Sequence, residues 1–283
     1  IAQQIVPKTD HVYGADGTCK LCGESKYVVT FELNSDGKGY TVAGLKKKAT
    51  ITNGILFIPG MYNNLPVTEI KATAFRPEYD YGTEHKIKKV IIEEGVLQIN
   101  GGAFENCDNI EEVSLPKSLT RICYYAFANC EKLKEIVIPA KVVYLESHTF
   151  NYCTSLKKVT ILGDINTSEA AGTAFEGCLN IEEWYGTPCT FRFFDKTNLK
   201  KATMKTLGSN SYFVDRGVLY GANNLVELSI PQIGDSASDG YDGSTEYFLG
   251  KIFWSQAKSN SIVPASLKKV TVETGSLPAT AFS

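Results

Sequence analysis

Short alternations of apolar and polar residues punctuate the chain at regular intervals. Ile110-Glu-Glu-Val-Ser-Leu115, Leu133-Lys-Glu-Ile-Val-Ile138, Leu156-Lys-Lys-Val-Thr-Ile161 and Ile181-Glu-Glu-Trp-Tyr185 share the form LxxVxI, and related runs start at Ile87, Leu199, Leu225 and Leu267. Side chains alternate across a strand. Each run is therefore a short strand with Ile110, Val113 and Leu115 turned inward and Glu112 and Ser114 turned out. Pro116 and Pro139 close two of the runs, because proline cannot donate to a continuing ladder.

Between the strands an Ala/Thr-Phe pair recurs, at Ala74-Phe75, Ala103-Phe104, Ala126-Phe127, Thr149-Phe150, Ala174-Phe175 and Ala281-Phe282. The step from Phe104 to Phe127 and on to Phe150 is 23 residues each time, and the next is 25. Cys107, Cys130, Cys153 and Cys178 each follow a Phe by three residues. One such unit cannot bury its apolar side alone, so stacked units must share a core. The expected fold is an α/β-type repeat solenoid made mostly of short β-strands and turns, with the phenylalanines in one buried column and the cysteines in another. Ile165–Gly172 and Thr187–Val218 break the phase, and Leu219 and Asn223 stand where a Phe and a near-Cys position are expected.

The pattern LxxVxIP…IxxxAFxxC resembles the BspA-like leucine-rich repeats of bacterial surface proteins, from about Tyr27 to the end. Val67–Phe75 resembles that family's entry repeat, and Phe248–Phe253 with Val263–Val270 resembles its longer repeat variant. The resemblance implies a leucine-rich-repeat right-handed superhelix. It also implies a secreted or cell-surface protein that binds other molecules, often in adhesion, with no enzymatic activity in the repeat.

Tyr27–Leu33 and Tyr40–Leu45 alternate like strands around the turn-rich Asn34–Gly39, a β-hairpin signature. Three regions are expected: a linker over 1–26, a β-hairpin cap over 27–66 and a solenoid over 67–283, with a loop insertion at about 232–263. The phase runs into Phe282, so the natural chain is expected to continue past Ser283, and the start at Ile1 suggests that an export signal has been removed.

Charge narrows the partners. The 283 residues carry 29 Lys+Arg against 31 Asp+Glu, and only Arg76, Arg121, Arg192 and Arg216 are arginines. Nucleic-acid binders concentrate basic charge, and arginine forks clamp phosphate. Nucleic acid is therefore not expected as a partner. No apolar run reaches the length of a membrane span.

Candidate chemistry is sparse. The four repeat cysteines are expected to be buried free thiols rather than a disulfide framework. His11, Cys19 and Cys22 supply three of the four ligands zinc normally takes, and a Cys19–Cys22 disulfide or free thiols account for the same residues. His11–Gly23 resembles a short segment found ahead of domains in bacterial surface proteins. Gly234-Asp235-Ser236 lacks the oriented base a nucleophilic serine needs, and Asp235, Asp239 and Asp242 do not have EF-hand spacing. No catalytic residues and no cofactor are expected. The outward strand positions are the binding candidates: Tyr185, Lys158, Glu183, Thr160 and Lys201. The leading reading is a non-catalytic protein that binds a protein or host matrix ligand. The alternative is a carbohydrate-binding module of a larger secreted enzyme or assembly, with Tyr185, Tyr124 and Tyr125 as its first contacts.

Overall fold

The computed structural model describes Gly14, Lys20 and residues 27–47, 49–77, 86–165, 173–186, 197–205, 219, 221–232 and 263–274. Strands β1 (Val29–Leu33) and β2 (Tyr40–Leu45) form an antiparallel hairpin. A 3-10 turn (Thr52–Gly54) leads to β3 (Ile55–Ile58), β4 (Met61–Tyr62) and β5 (Leu65–Ile70). Three repeats then supply two strands each: β6 (Lys89–Ile92) and β7 (Gln98–Ile99), β8 (Glu112–Ser114) and β9 (Arg121–Ile122), β10 (Glu135–Ile138) and β11 (Tyr144–Leu145). After them come β12 (Lys158–Ile161), β13 (Glu183–Tyr185), β14 (Lys201–Thr203), β15 (Glu227–Gln232) and β16 (Lys269–Thr274).

Neighbouring repeats pair in parallel, in the register set by the LxxVxI runs. The main face is a three-stranded sheet, β3-β6-β8, followed by a six-stranded sheet, β10-β12-β13-β14-β15-β16. A second face runs β1-β2-β5-β7-β9-β11, so the N-terminal hairpin extends the same sheet as the repeats. The Ala/Thr-Phe turns make a third ladder. The amides of Phe75, Phe104, Phe127 and Phe150 donate to the carbonyls of Ala103, Ala126, Thr149 and Ala174, one repeat further on, at 2.7–2.8 Å.

Among the described residues there is no α-helix, so the α/β-type expectation gives way to a stack of strands and turns. The reason lies on either side of each Phe. Two residues before it, Thr73, Gly102, Tyr125 and His148 have φ of 57°, 63°, 56° and 58°. Two residues after it, Asn106, Asn129, Tyr152 and Gly177 have φ of 62°, 58°, 53° and 78°. Left-handed residues four apart cannot belong to a right-handed helix.

The core is one dry column. Phe75, Phe104, Phe127, Phe150 and Phe175 stack with ring centroids 5.0, 5.0, 5.4 and 5.1 Å apart and planes within 11° of parallel. Trp184 ends the column edge-on to Phe175 at 5.5 Å and fills its inward strand position. Beside the column the four repeat cysteines are buried and unbridged. Leu219 takes the Phe position in the later repeat. Ala222, not Asn223, takes the Cys position: it is buried and repeats the turn hydrogen bonds, while Asn223 is exposed. Cys19, Cys22 and Cys189 lie outside the described residues, as do Asp235, Ser236, Asp239 and Asp242.

Candidate functional site

The outer side of the main face is built from two slots per strand. One reads Glu135, Lys158, Glu183, Lys201, Glu227, Lys269 across β10, β12, β13, β14, β15 and β16. Its signs alternate at every step. Lys158 lies 3.9 Å from Glu183, and Lys201 lies 3.6 Å from Glu227. A second charged row runs behind the first. There Glu111 meets Lys134 at 2.5 Å, and Glu182 lies between Lys157 at 3.3 Å and Lys200 at 3.0 Å. The ammonium of Lys200, then that of Lys157, holds the Glu182 carboxyl below its ordinary value, and Lys134 does the same for Glu111.

The other slot carries Thr160, Tyr185, Thr203, Ser229 and Thr271. Tyr185 is half-buried, and the Lys205 ammonium stands 4.8 Å from its ring centroid. One face of that ring therefore meets a cation, an attraction the aromatic quadrupole favours. Around it lies a shallow hollow of about 390 Å³ lined by Lys158, Thr160, Glu183, Trp184, Tyr185, Lys201 and Thr203. All five residues expected to bind from the sequence line this one hollow. Lys201 and Thr203 also line an adjoining hollow of about 190 Å³ that continues over Glu227, Ser229, Lys269 and Thr271. The pair forms a trough across five strands, β12 to β16.

The freely exposed aromatics are elsewhere. Tyr124, Tyr125, Tyr144 and Tyr152 stand on the turns and on the second face, with Arg121 4.7 Å from the Tyr144 ring centroid. Tyr144 and Tyr152 did not stand out in the sequence, because neither sits in an LxxVxI run.

Each repeat thiol is occupied in hydrogen bonding. Cys107, Cys130, Cys153 and Cys178 donate to the carbonyl oxygens of Phe75, Phe104, Phe127 and Phe150 at 3.1, 3.4, 3.3 and 3.1 Å. Burial pushes the Cys107 thiol up to about 12 and raises those of Cys130 and Cys153 well above the ordinary value. Such groups pack and bond but are not nucleophiles. Among the described residues no group of three or more His, Cys, Asp or Glu side chains is placed to hold a metal, and no helix is long and apolar enough to cross a membrane. The zinc candidates His11, Cys19 and Cys22 lie outside the described residues.

Comparison with known proteins follows the repeat. No curated protein matches the chain. A leucine-rich repeat protein from Bacteroides capillosus is 28% identical, with a TM-score of 0.41 over 47% of this chain and 94% of that one. The leucine rich repeat protein of T. pallidum is 22% identical, with a TM-score of 0.43 over 71% of this chain and 78% of that one. A leucine rich cell surface protein from Faecalibacterium prausnitzii is 16% identical, with a TM-score of 0.35 over 88% and 76%. Residues 68–196 match the BspA type leucine rich repeat region in six copies. Those matched residues hold the phenylalanine column and the cysteine ladder, and in repeat pattern and parallel register they are similar to the BspA type leucine rich repeats.

Proposed function

We propose that the chain is a non-catalytic binding scaffold of the bacterial cell surface or extracellular space, and that it holds a protein partner on the outer side of its main face. The repeat family supports an interaction role. The observation that carries the site is the trough around Tyr185, where an aromatic ring, the hydroxyls of Thr160, Thr203, Ser229 and Thr271 and alternating charges line one concave strip. Tyr185 serves as the anchor, since tyrosine combines large contact area with few rotamers to freeze. Lys158, Glu183 and Lys201 set the register of the partner, because charges across an interface select orientation and speed encounter more than they add affinity. The thiols are hydrogen-bonded to backbone and inaccessible, which suits a cysteine-containing protein to an oxidising medium without bridges. Residues 27–66 serve as the cap that covers one end of the stack, with 1–26 as linker and 67–283 as the binding body.

A biosensor panel of purified host matrix and serum proteins tests this reading. The full chain binds at least one of them. Tyr185→Ala weakens that binding roughly tenfold or more. Lys201→Glu slows association and changes its salt dependence. Unaltered binding in both variants would remove the trough as the site.

A further inference from the structure

Four tyrosines stand out of the described surface: Tyr124, Tyr125, Tyr144 and Tyr152 are 55%, 39%, 48% and 56% exposed. All four lie away from the trough. Two of them lie flat. A carbon built as a side chain on Gly101 would sit 2.7, 2.9 and 3.1 Å from Cζ, Cε2 and Cε1 of Tyr124. One built on Gly177 would sit 2.6, 2.9 and 3.1 Å from Cδ1, Cε1 and Cγ of Tyr152. Three ring atoms at such similar distances put that carbon above the ring plane, not beyond its edge. Each ring therefore rests one face on a bare backbone in a neighbouring repeat and turns the other to water. Only glycine leaves room for this.

The ground between the two rings is polar and close to neutral. Tyr125 meets Tyr124 at right angles, 6.2 Å between centroids, and stacks on His148 at 5.0 Å. His148 Nε2 lies 3.1 Å from Glu176 Oε2, and the backbone amide of Tyr152 donates to the Glu176 carbonyl at 2.9 Å. On the other side the Tyr124 amide donates to the Glu146 carboxylate at 3.1 Å, and that carboxylate lies 3.3 Å from Arg121 Nε. The carboxylates of Glu146 and Glu176 and the cation of Arg121 offer acceptors and donors without an excess of positive charge.

We infer that this turn face is a binding strip for uncharged oligosaccharides, with Tyr124 and Tyr152 as stacking platforms. A pyranose ring has a flat face of C–H groups and a rim of hydroxyls. The first covers an aromatic face, and the second bonds to carboxylates and guanidinium. Rings already pinned on glycine lose little freedom when covered. A protein hot spot needs instead a side chain that projects into a pocket, which a ring held flat against its own backbone does not do. Among the described residues no cationic cluster lines this strip, which sets uncharged sugars above acidic ones. The strip is separate from the Tyr185 trough in surface and in ligand class, so either assignment stands or falls alone.

The test applies the full chain to a printed array of neutral and acidic glycans. Hits are followed by calorimetric titration with soluble glucose, mannose or N-acetylglucosamine oligosaccharides. Neutral glycans bind, and Tyr124→Ala or Tyr152→Ala weakens binding roughly tenfold. Tyr124→Phe keeps the ring and retains binding, whereas Tyr185→Ala leaves it unchanged. Gly101→Ala is the decisive variant: it keeps every aromatic residue but lifts the Tyr124 ring from its seat, and it weakens binding while far-ultraviolet circular dichroism and the melting temperature report an intact fold. The inference is overturned by any of four results: no neutral glycan bound at millimolar concentration, a preference for acidic glycans, binding indifferent to Tyr124, Tyr152 and Gly101, or a surface that takes only protein.

Discussion

Phe127 shows how one residue position carries the stack. It is fully buried between Phe104 at 5.0 Å and Phe150 at 5.4 Å, and its backbone amide donates to Thr149. Truncation leaves a cavity that neither neighbour can close without breaking its own stacking. Phe127→Ala is expected to cost about 3–5 kcal/mol, read as a shifted urea midpoint. The Thr in the Thr149-Phe150 pair is tolerated in a fully buried place because its hydroxyl donates to the Glu146 carbonyl at 2.6 Å. The thiols give a second expectation. A folded-state value of about 12 for Cys107 leaves only about one part in ten thousand as thiolate at pH 8. The repeat cysteines of the native protein should therefore resist aromatic disulfide reagents and react only after unfolding. The sign for stability follows from the raised values. The unfolded chain releases these protons near pH 9 and the folded chain holds them, so the stabilisation is complete below about pH 9 and is lost as pH climbs toward 12. Melting temperatures measured across that window should fall with pH, and less steeply in Cys107→Ala.

Among the elements, the break in the main face has an electrostatic counterpart. Strands β8 and β10 are neighbours but do not pair as a ladder, and Glu112 and Glu135 hold the equivalent outward slot on the two. Everywhere beyond β10 that slot alternates in sign and the strands pair in full register. Like charges on facing strands destabilise a pair by the amount opposite charges stabilise it. Glu112 is meanwhile drawn toward Lys89 on the preceding strand at 2.6 Å. Glu135→Gln removes the repulsion and breaks no ion pair described for Glu135. It should raise stability by roughly 0.2–0.5 kcal/mol at low salt, and the gain should shrink in molar salt as screening takes over.

At the scale of the whole molecule, the described repeats touch their neighbours through the two parallel faces, the turn ladder and the Phe column. Stability in such a stack is close to a sum of repeat and interface contributions. Amide hydrogen exchange should then be slowest in the central repeats, about Phe104 to Ile161, and faster toward both ends. Uniform protection along the chain would contradict this one-dimensional picture. The same geometry separates two outward surfaces. The main face turns alternating charges and the Tyr185 trough outward, while the turns present pinned tyrosines.

The period of 23, the phenylalanine column, the buried cysteines and the outward Lys158, Thr160, Glu183, Tyr185 and Lys201 were all legible in the chain, because alternation and repeat spacing dictate which side chains meet inside. The mostly strand-and-turn character was legible too, but the α/β-type label finds no helix among the described residues: periodicity does not report φ, and the left-handed positions flanking each Phe are filled by Thr, Tyr, His and Asn as well as Gly. Where Tyr185 sits under Lys205, which carbonyl each thiol bonds, and which tyrosines rest flat on Gly101 and Gly177 were decided only in three dimensions. Each thiol bonds the Phe carbonyl of the preceding repeat, and Tyr124 and Tyr152 meet the matching slot one repeat away, so the period allows these contacts without selecting them. They depend on how far one turn leans over the next, a distance set by packing rather than by order along the chain.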